Sequence, residues 1–270
     1  MRAILAAALL LVTTSAGPAQ AQEASRAPIR AFDLRTLEAL GTAIHRQDSA
    51  AWVASDTLLA KVRDPGGAGL VGWIVVDAGP NQKVRFLRGR DGRIEAGYDI
   101  LVTPNLETTL SEPADRSLSA DELAMFAARQ TAAAAMSALP ACRPGYNVAI
   151  AKDPERAGWL VWLLAPMTEL GAIPIGGHYR FSVTPDGKTV TQRDALSASC
   201  MVMPKPDTSK GQPAAAFVTH LVSPTPVETH VFLQLQSRQG MFVAAGDHLW
   251  SIANGRVTDQ GGLQSHAPKK

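Results

Sequence analysis

Two histidines and a glutamate near the C-terminal end of the sequence have the residue types and the spacing of a candidate metal site. His220, Glu228 and His230 lie on either side of a proline-rich loop, residues 223–227. If this loop closes a symmetric hairpin, His220 lies opposite His230, and Glu228 points to the same face because alternate strand residues share a face. Two imidazoles and a carboxylate in this arrangement could hold one divalent metal ion. The alternative is a pair of hydrogen-bonded histidines at the edge of a core.

Two arginines and a further histidine are candidate ligand-binding residues. Arg85 and Arg180 each stand between aromatic or apolar residues, so they could lie on the open face of a sheet and bind an anionic partner. The alternative for both is a solvated face with extended side chains. His178 follows two glycines at a strand start, where it either faces a ligand or marks an exposed strand end. Asp99 and Asp194 could act as an acid–base pair, but strand-end aspartates usually cap turns.

The sequence lacks the motifs of the common catalytic classes. It has no Gly-x-Ser-x-Gly elbow and no His-Glu-x-x-His zinc motif, and its Gly66–Gly69 stretch lacks the Lys-Ser/Thr of a phosphate loop. No catalytic residue is predicted, and a divalent metal is the one candidate cofactor. No stripe of Lys and Arg runs along the chain, which argues against a nucleic-acid partner.

The first 21 residues have the pattern of an export signal. Met1-Arg2 is followed by ten apolar residues, Ala3–Val12, and then by a small and polar stretch that ends Ala19-Gln20-Ala21. This order is typical of a secretory signal peptide with cleavage near Ala21. Ten apolar residues form about 15 Å of helix, too short for a bilayer core of about 30 Å, so no permanent membrane anchor is expected. The sequence therefore predicts a periplasmic or secreted protein.

Composition predicts a globular mature chain. About 249 residues remain after the predicted cleavage, with 25 basic and 24 acidic side chains because only Arg2 is lost. The whole sequence is 46% hydrophobic and 19% charged, which is typical of a folded protein and not of a disordered one.

The sequence has two cysteines, Cys142 and Cys200. In an oxidising compartment an even pair favours a disulfide, which would close a loop of 58 residues. The alternatives are two buried free thiols or a metal pair, although two thiolates are too few for a structural zinc.

Hydrophobic periodicity divides the mature chain into two units and an extension. Residues 22–103 form the first helix-plus-sheet unit, 104–118 a linker, 119–201 the second unit, 202–260 a β-rich C-terminal extension and 261–270 a disordered tail. In the first unit, one helix begins at Asp33 and another runs over residues 48–62 with Trp52 and Leu59 inward. A capping box, Ser119 to Glu122, opens the helix of the second unit. In the extension, residues 217–222 and 229–235 are predicted to pair as strands.

The two units resemble each other in sequence. Residues 84–101 align without a gap with residues 179–196, and six of these 18 positions are identical, including the two arginines and the two aspartates above. The Asp-Gly identities at the turns are common to hairpins in general, so two unrelated hairpins are the alternative. The pattern predicts an α+β fold of two helix-plus-antiparallel-sheet units with a β-rich C-terminal extension.

The repeated unit resembles the helix-plus-sheet modules of the PepSY and cystatin-like type. Those modules often bind or inhibit other proteins outside the cytoplasm, so the resemblance implies a binding role. Across its length the chain also resembles uncharacterised exported proteins of Gram-negative bacteria, on the stretches Gly177–Phe181 and Pro226–Phe232.

Three functions are compatible with these observations. The first is a non-enzymatic periplasmic binding or interaction protein, whose partner is an envelope protein or a small ligand. The second is a metal-binding protein or metal-dependent hydrolase that uses His220, Glu228 and His230. The third is a structural or assembly factor of the envelope.

Overall fold

The computed structural model describes residues 28–142, 145–167, 169–205, 209 and 215–266. The predicted signal peptide, residues 1–21, lies outside these ranges. The described residues contain three helices and four sheets, which confirms the α+β class. None of these helices combines the length and the apolar character needed to cross a bilayer.

The first unit is one long helix followed by a four-stranded antiparallel sheet. Its elements are α1 (Leu34–Lys61), β1 (Leu70–Ala78), β2 (Asn81–Arg90), β3 (Arg93–Val102) and β4 (Thr108–Ser111), and the strands are paired in chain order. Asp33 caps α1 as predicted, because its carboxylate accepts a hydrogen bond from the Thr36 amide at 3.0 Å. The predicted linker 104–118 is wrong in part, since it contains β4.

The prediction of two helices in the first unit is wrong. No glycine or proline interrupts the chain between His45 and Asp48, so one helix of 28 residues runs through. Asp48, where the second helix was predicted to begin, accepts hydrogen bonds from the distant side chains of Asn147 and Gln236. In the single helix, Trp52 lies outside the buried stripe and is 66% exposed, and Leu59 is 67% exposed.

The second unit also consists of a helix followed by antiparallel strands. It comprises α2 (Ala120–Met136), β5 (Asn147–Lys152), β6 (Trp159–Leu164), β7 (Ile173–Pro174), β8 (Tyr179–Val183), β9 (Val190–Ala195) and β10 (Val202–Met203). The main sheet has the order β5-β6-β8-β9, and β7 pairs with β10, which lies just beyond the predicted end of this unit at residue 201. The predicted capping box is present: Ser119 accepts from the Glu122 amide, and Glu122 accepts from the Ser119 amide.

The C-terminal extension contains a helix that the sequence pattern did not predict. Its elements are β11 (Ala215–His220), α3 (Glu228–Ser237), β12 (Gly240–Ala245), β13 (His248–Ala253), β14 (Arg256–Gly262) and a short 3-10 helix (Leu263–His266). The predicted hairpin of residues 217–222 with 229–235 is wrong, because β11 pairs in parallel with β12 and a parallel pair needs a crossover, which α3 provides. The predicted disordered tail is wrong for residues 261–266.

A shared core and a disulfide tie these parts together. The largest buried cluster takes Ile44 from α1, Trp162 from β6, Phe232 from α3 and Val243 from β12. Cys142 and Cys200 form the expected disulfide, with Cα atoms 5.4 Å apart. The described chain therefore packs as one body, and sites can form where its units meet.

Candidate functional site

Arg180, predicted to bind an anionic partner, is bound inside the chain. Its side chain is fully buried, and its Nε and Nη2 groups donate to the carboxylate of Asp194 directly opposite on β9. Its Nη1 group donates to Glu228 Oε1 at 2.8 Å. Two carboxylates therefore neutralise this guanidinium, and an external anion cannot reach it.

Arg85 makes the same arrangement in the first unit. Its Nε and Nη2 groups each donate to Asp99 at 2.8 Å, and its Nη1 group donates to Glu122 at 2.8 Å. The hydrogen bond to Asp99 is the main cause of the raised pKa of Arg85. The interpretation of the two arginines as ligand-binding residues is corrected: each holds the first turn of the next helix against its own sheet. Asp99 and Asp194 bind these arginines and do not cap turns.

Aromatic side chains and a second arginine pack around the buried ion pairs of Arg180. The guanidinium carbons of Arg30 and Arg180 each lie 4.6 Å from the ring centre of Phe32, and Trp162 donates to Glu228 at 2.7 Å. Arg30 itself forms ion pairs with Asp153 and Glu155. The segment before α1 is thereby fixed to the second sheet.

His178 is a buried structural residue. Its Nδ1 atom accepts from the Ala165 amide at 3.0 Å, so its Nε2 atom carries the hydrogen and donates to the Pro174 carbonyl at 2.6 Å. Burial lowers the pKa of His178 to about 4, which keeps the ring neutral at neutral pH. The prediction of a ligand-facing or exposed role is therefore wrong.

The predicted metal-binding residues come together only in part. His220 at the end of β11 and His230 in the first turn of α3 have ring centres 4.8 Å apart. His230 Nδ1 accepts from the Val227 amide, and His220 donates to the Ser223 hydroxyl, whose own hydrogen goes to Thr225. Glu228 points away to Arg180. Within the described residues no group of three or more acidic, histidine or cysteine side chains could hold a metal ion.

An open cleft lies where the first unit, the second unit and the C-terminal extension meet. It has a volume of about 1270 Å³ and is lined by α1, the β3–β4 turn, the loop between β6 and β7, and the end of α3. Four large apolar side chains are exposed along it: Trp52 at 66%, Leu106 at 43%, Met167 at 43% and Leu170 at 83%. Sequence reasoning missed this surface because Trp52 was assigned to a buried face. The helical period, counted along one continuous helix, would have placed Trp52 on the exposed face.

Polar groups at the wall of the cleft have shifted pKa values. Asp48 accepts hydrogen bonds from Asn147 and Gln236, and burial raises its pKa to about 6. Burial lowers the pKa of His45, and the nearby Arg238 lowers it further. The Nδ1 atom of His45 is buried and has no hydrogen-bond partner among the described residues. Titratable groups of this kind are typical of a binding surface that is partly removed from water.

Exposed basic residues form the rim of the cleft. Arg46, Lys205 and Arg238 are exposed there, against one exposed acidic side chain, Glu169. The rim therefore favours a ligand that carries negative charge beside its apolar part.

Comparison with known proteins found no match to this chain among protein-family models, curated proteins or solved structures.

Proposed function

We propose that this protein is an exported, non-enzymatic binding protein whose cleft takes an apolar segment of an envelope protein partner. The observation that carries the proposal is the presence of four exposed apolar side chains, Trp52, Leu106, Met167 and Leu170, in one open cleft. Large apolar side chains that are exposed together in a cleft mark interaction sites.

The size and charge of the cleft favour a polypeptide segment as the ligand. Its volume of about 1270 Å³ exceeds the range of about 300–1000 Å³ that is usual for small-molecule pockets. The basic rim of Arg46, Lys205 and Arg238 favours acidic residues next to the apolar ones. The bound segment is therefore apolar with flanking Asp or Glu.

Two further observations support export and a binding role. The disulfide fits an oxidising compartment, as does the signal-peptide pattern of residues 1–21. The matched ion pairs Arg85–Asp99 and Arg180–Asp194 support an internal duplication of one unit. The resemblance of that unit to PepSY and cystatin-like modules agrees with protein binding outside the cytoplasm.

Site-specific photo-crosslinking tests the proposal. The full-length chain is produced with benzoylphenylalanine in place of Leu170 in the cleft, or of Lys188 in the exposed β8–β9 turn as a control. We expect a discrete adduct at position 170 that is missing at position 188 and is lost with Trp52→Asp. Peptide mapping should identify an apolar segment with acidic neighbours in the partner. No adduct at position 170, or the same adduct at both positions, refutes the proposal.

A further inference from the structure

A Gly-Trp pair lies near the start of a strand in each of the two units. Gly72-Trp73 lies in β1, at the edge of the first sheet, and Trp159 begins β6 directly after Gly158. Each indole has a cation stacked on its face at 4.0 Å from the ring centre: Arg129 Cζ over Trp73, and Lys152 Nζ over Trp159. The distance from the cation to the ring centre is therefore the same in the two stacks, and the hydrogen-bonding partners of the two can be compared.

At Trp159 the polar groups of the stack have partners within the chain. The indole Nε1 group donates to the Pro185 carbonyl at 3.0 Å. Lys152 forms an ion pair with Asp121 at 3.0 Å. A carboxylate therefore balances the cation of this stack.

At Trp73 the corresponding groups have no such partners. The indole Nε1 atom is buried and bonds to nothing, and the Arg129 guanidinium has no hydrogen-bond or ion-pair partner among the described residues. Arg129 is nevertheless partly buried, and this burial lowers its pKa to about 10. A partly desolvated guanidinium without a charged partner is unfavourable, and the unsatisfied buried N–H group of Trp73 adds to that cost.

The backbone brings the two elements of this stack into close approach. Gly72 has φ +148°, and a Cβ atom there would lie 3.1 Å from Phe126 Cε2 and 3.8 Å from Arg129 Nε. A side chain at position 72 would therefore push α2 away from β1. The absence of one lets the guanidinium of Arg129 approach the Trp73 ring, with its Cζ atom 4.0 Å from the ring centre.

We propose that Arg129, held on the face of Trp73, is a carboxylate-binding site. The planar guanidinium presents paired N–H donors that match the two oxygens of a carboxylate, and stacking on an aromatic ring fixes its orientation. The bound carboxylate balances the charge of Arg129, as Asp121 balances that of Lys152 in the stack on Trp159. This site is separate from the cleft, whose lining does not include Arg129 or Trp73, so it stands independently of the function proposed above. The carboxylate is a small free acid or an acidic side chain of a protein.

Thermal unfolding of the mature protein with two carboxylate probes tests this site and separates the two sources. Sodium acetate and the peptide acetyl-Gly-Glu-Gly-amide are each compared with sodium chloride at equal ionic strength. For a Kd of about 10 mM, 50 mM ligand raises Tm by about 2–4 °C. A rise with acetate supports a small free acid as sufficient, and a rise with the peptide alone supports an acidic side chain.

The rise should disappear in Arg129→Met and persist in Arg156→Met, which removes an exposed arginine. No rise with either probe, or an equal rise in Arg129→Met, overturns the proposal. If Arg129→Met does not fold, ¹⁵N NMR of the wild-type protein decides the matter. A saturable shift of the Arg129 Nε–H resonance with acetate or peptide supports the site, and an unchanged resonance with both overturns it.

Discussion

Arg180 and Arg85 occupy matched positions on their sheets, but their burial differs. The side chains of Arg180 and Glu228 are 0% and 1% exposed, whereas those of Arg85 and Glu122 are 10% and 14% exposed. Removing one partner of a fully buried pair leaves an uncompensated charge, which costs about 3–5 kcal/mol. We expect Glu228→Gln to lower the free energy of unfolding by this amount in urea titrations.

Glu122→Gln is the matched control for that substitution. It breaks the equivalent pair nearer to solvent, and glutamine preserves the capping box with Ser119. We expect a loss of about 1 kcal/mol, because water screens the charge that remains. Equal losses for the two variants would contradict the structural role assigned to Glu228.

Three buried histidines make stability depend on pH. Burial lowers the pKa of His178 and of His220 to about 4, and that of His230 well below its usual value. The unfolded chain therefore binds more protons than the folded protein between pH 6.5 and pH 4, so stability is lost as the pH falls through this window. Asp48, whose pKa is raised to about 6, has the opposite effect, because its protonation favours the folded protein as the pH falls. It is a single group against three histidines.

The free energy of unfolding, measured at several pH values, tests this dependence. The lowered pKa of His178, or that of His220, corresponds to a loss of about 3 kcal/mol in the free energy of unfolding once the pH has fallen to 4. His220→Gln should flatten the profile between pH 6.5 and pH 4, because the remaining side chain does not titrate. Constant wild-type stability from pH 7 to pH 5, or an unchanged slope in the variant, would argue against neutral buried histidines.

Sequence alone located several of these residues but misjudged their surroundings. The aligned hairpins placed Arg85 with Asp99, and Arg180 with Asp194, at matched positions. Alternation along a strand does not reveal which face another element covers. The third partner of each group, a glutamate in the first turn of a later helix, could not be inferred because it depends on how the units dock.

At the scale of elements, the crossing of α1 and α3 depends on one glycine. A Cβ atom on Gly41 would lie 2.5 Å from Val231 Cβ and 2.6 Å from the Glu228 carbonyl oxygen. Alanine is about 1 kcal/mol better than glycine in a helix interior. Overpacking at a tight contact costs about 1–3 kcal/mol, and here it also displaces the residue that pairs with Arg180.

We therefore expect Gly41→Ala to lower the thermal midpoint, whereas Thr42→Ala on the exposed side of the same turn leaves it nearly unchanged. Calorimetry of the two variants makes the comparison. A Gly41→Ala protein as stable as the wild type would mean that the two helices do not approach as closely as described.

The helix α3 of the C-terminal extension could not be predicted from hydrophobic periodicity. All residues of Glu228–Gln234 are buried, so the segment has no polar face from which a period of 3.6 or 2 could be read. Its β-branched and aromatic residues favoured a strand. The opposite holds for the helices α1 and α2, whose caps Asp33 and Ser119 were recognised because capping is a local interaction.

At the scale of the whole molecule, the disulfide Cys142–Cys200 connects the segment between α2 and β5 to the segment before β10. It closes a loop of 58 residues, for which chain entropy predicts about 4 kcal/mol of stabilisation. We expect the double variant Cys142→Ala/Cys200→Ala to lose about this amount, and the wild type to lose it when a reductant is added. If neither the double substitution nor the reductant lowers the free energy of unfolding, the disulfide does not constrain the unfolded chain.

The proposal of an exported binding protein depends first on where the chain is found and in what state. Intact-mass spectrometry of the protein, purified from the envelope fraction of cells that produce the full sequence, tests this most directly. We expect a chain that begins at Gln22 and is two hydrogens lighter than its reduced form, with Cys142 linked to Cys200. A chain that retains Met1 and two free thiols, recovered from the cytosol, would contradict it.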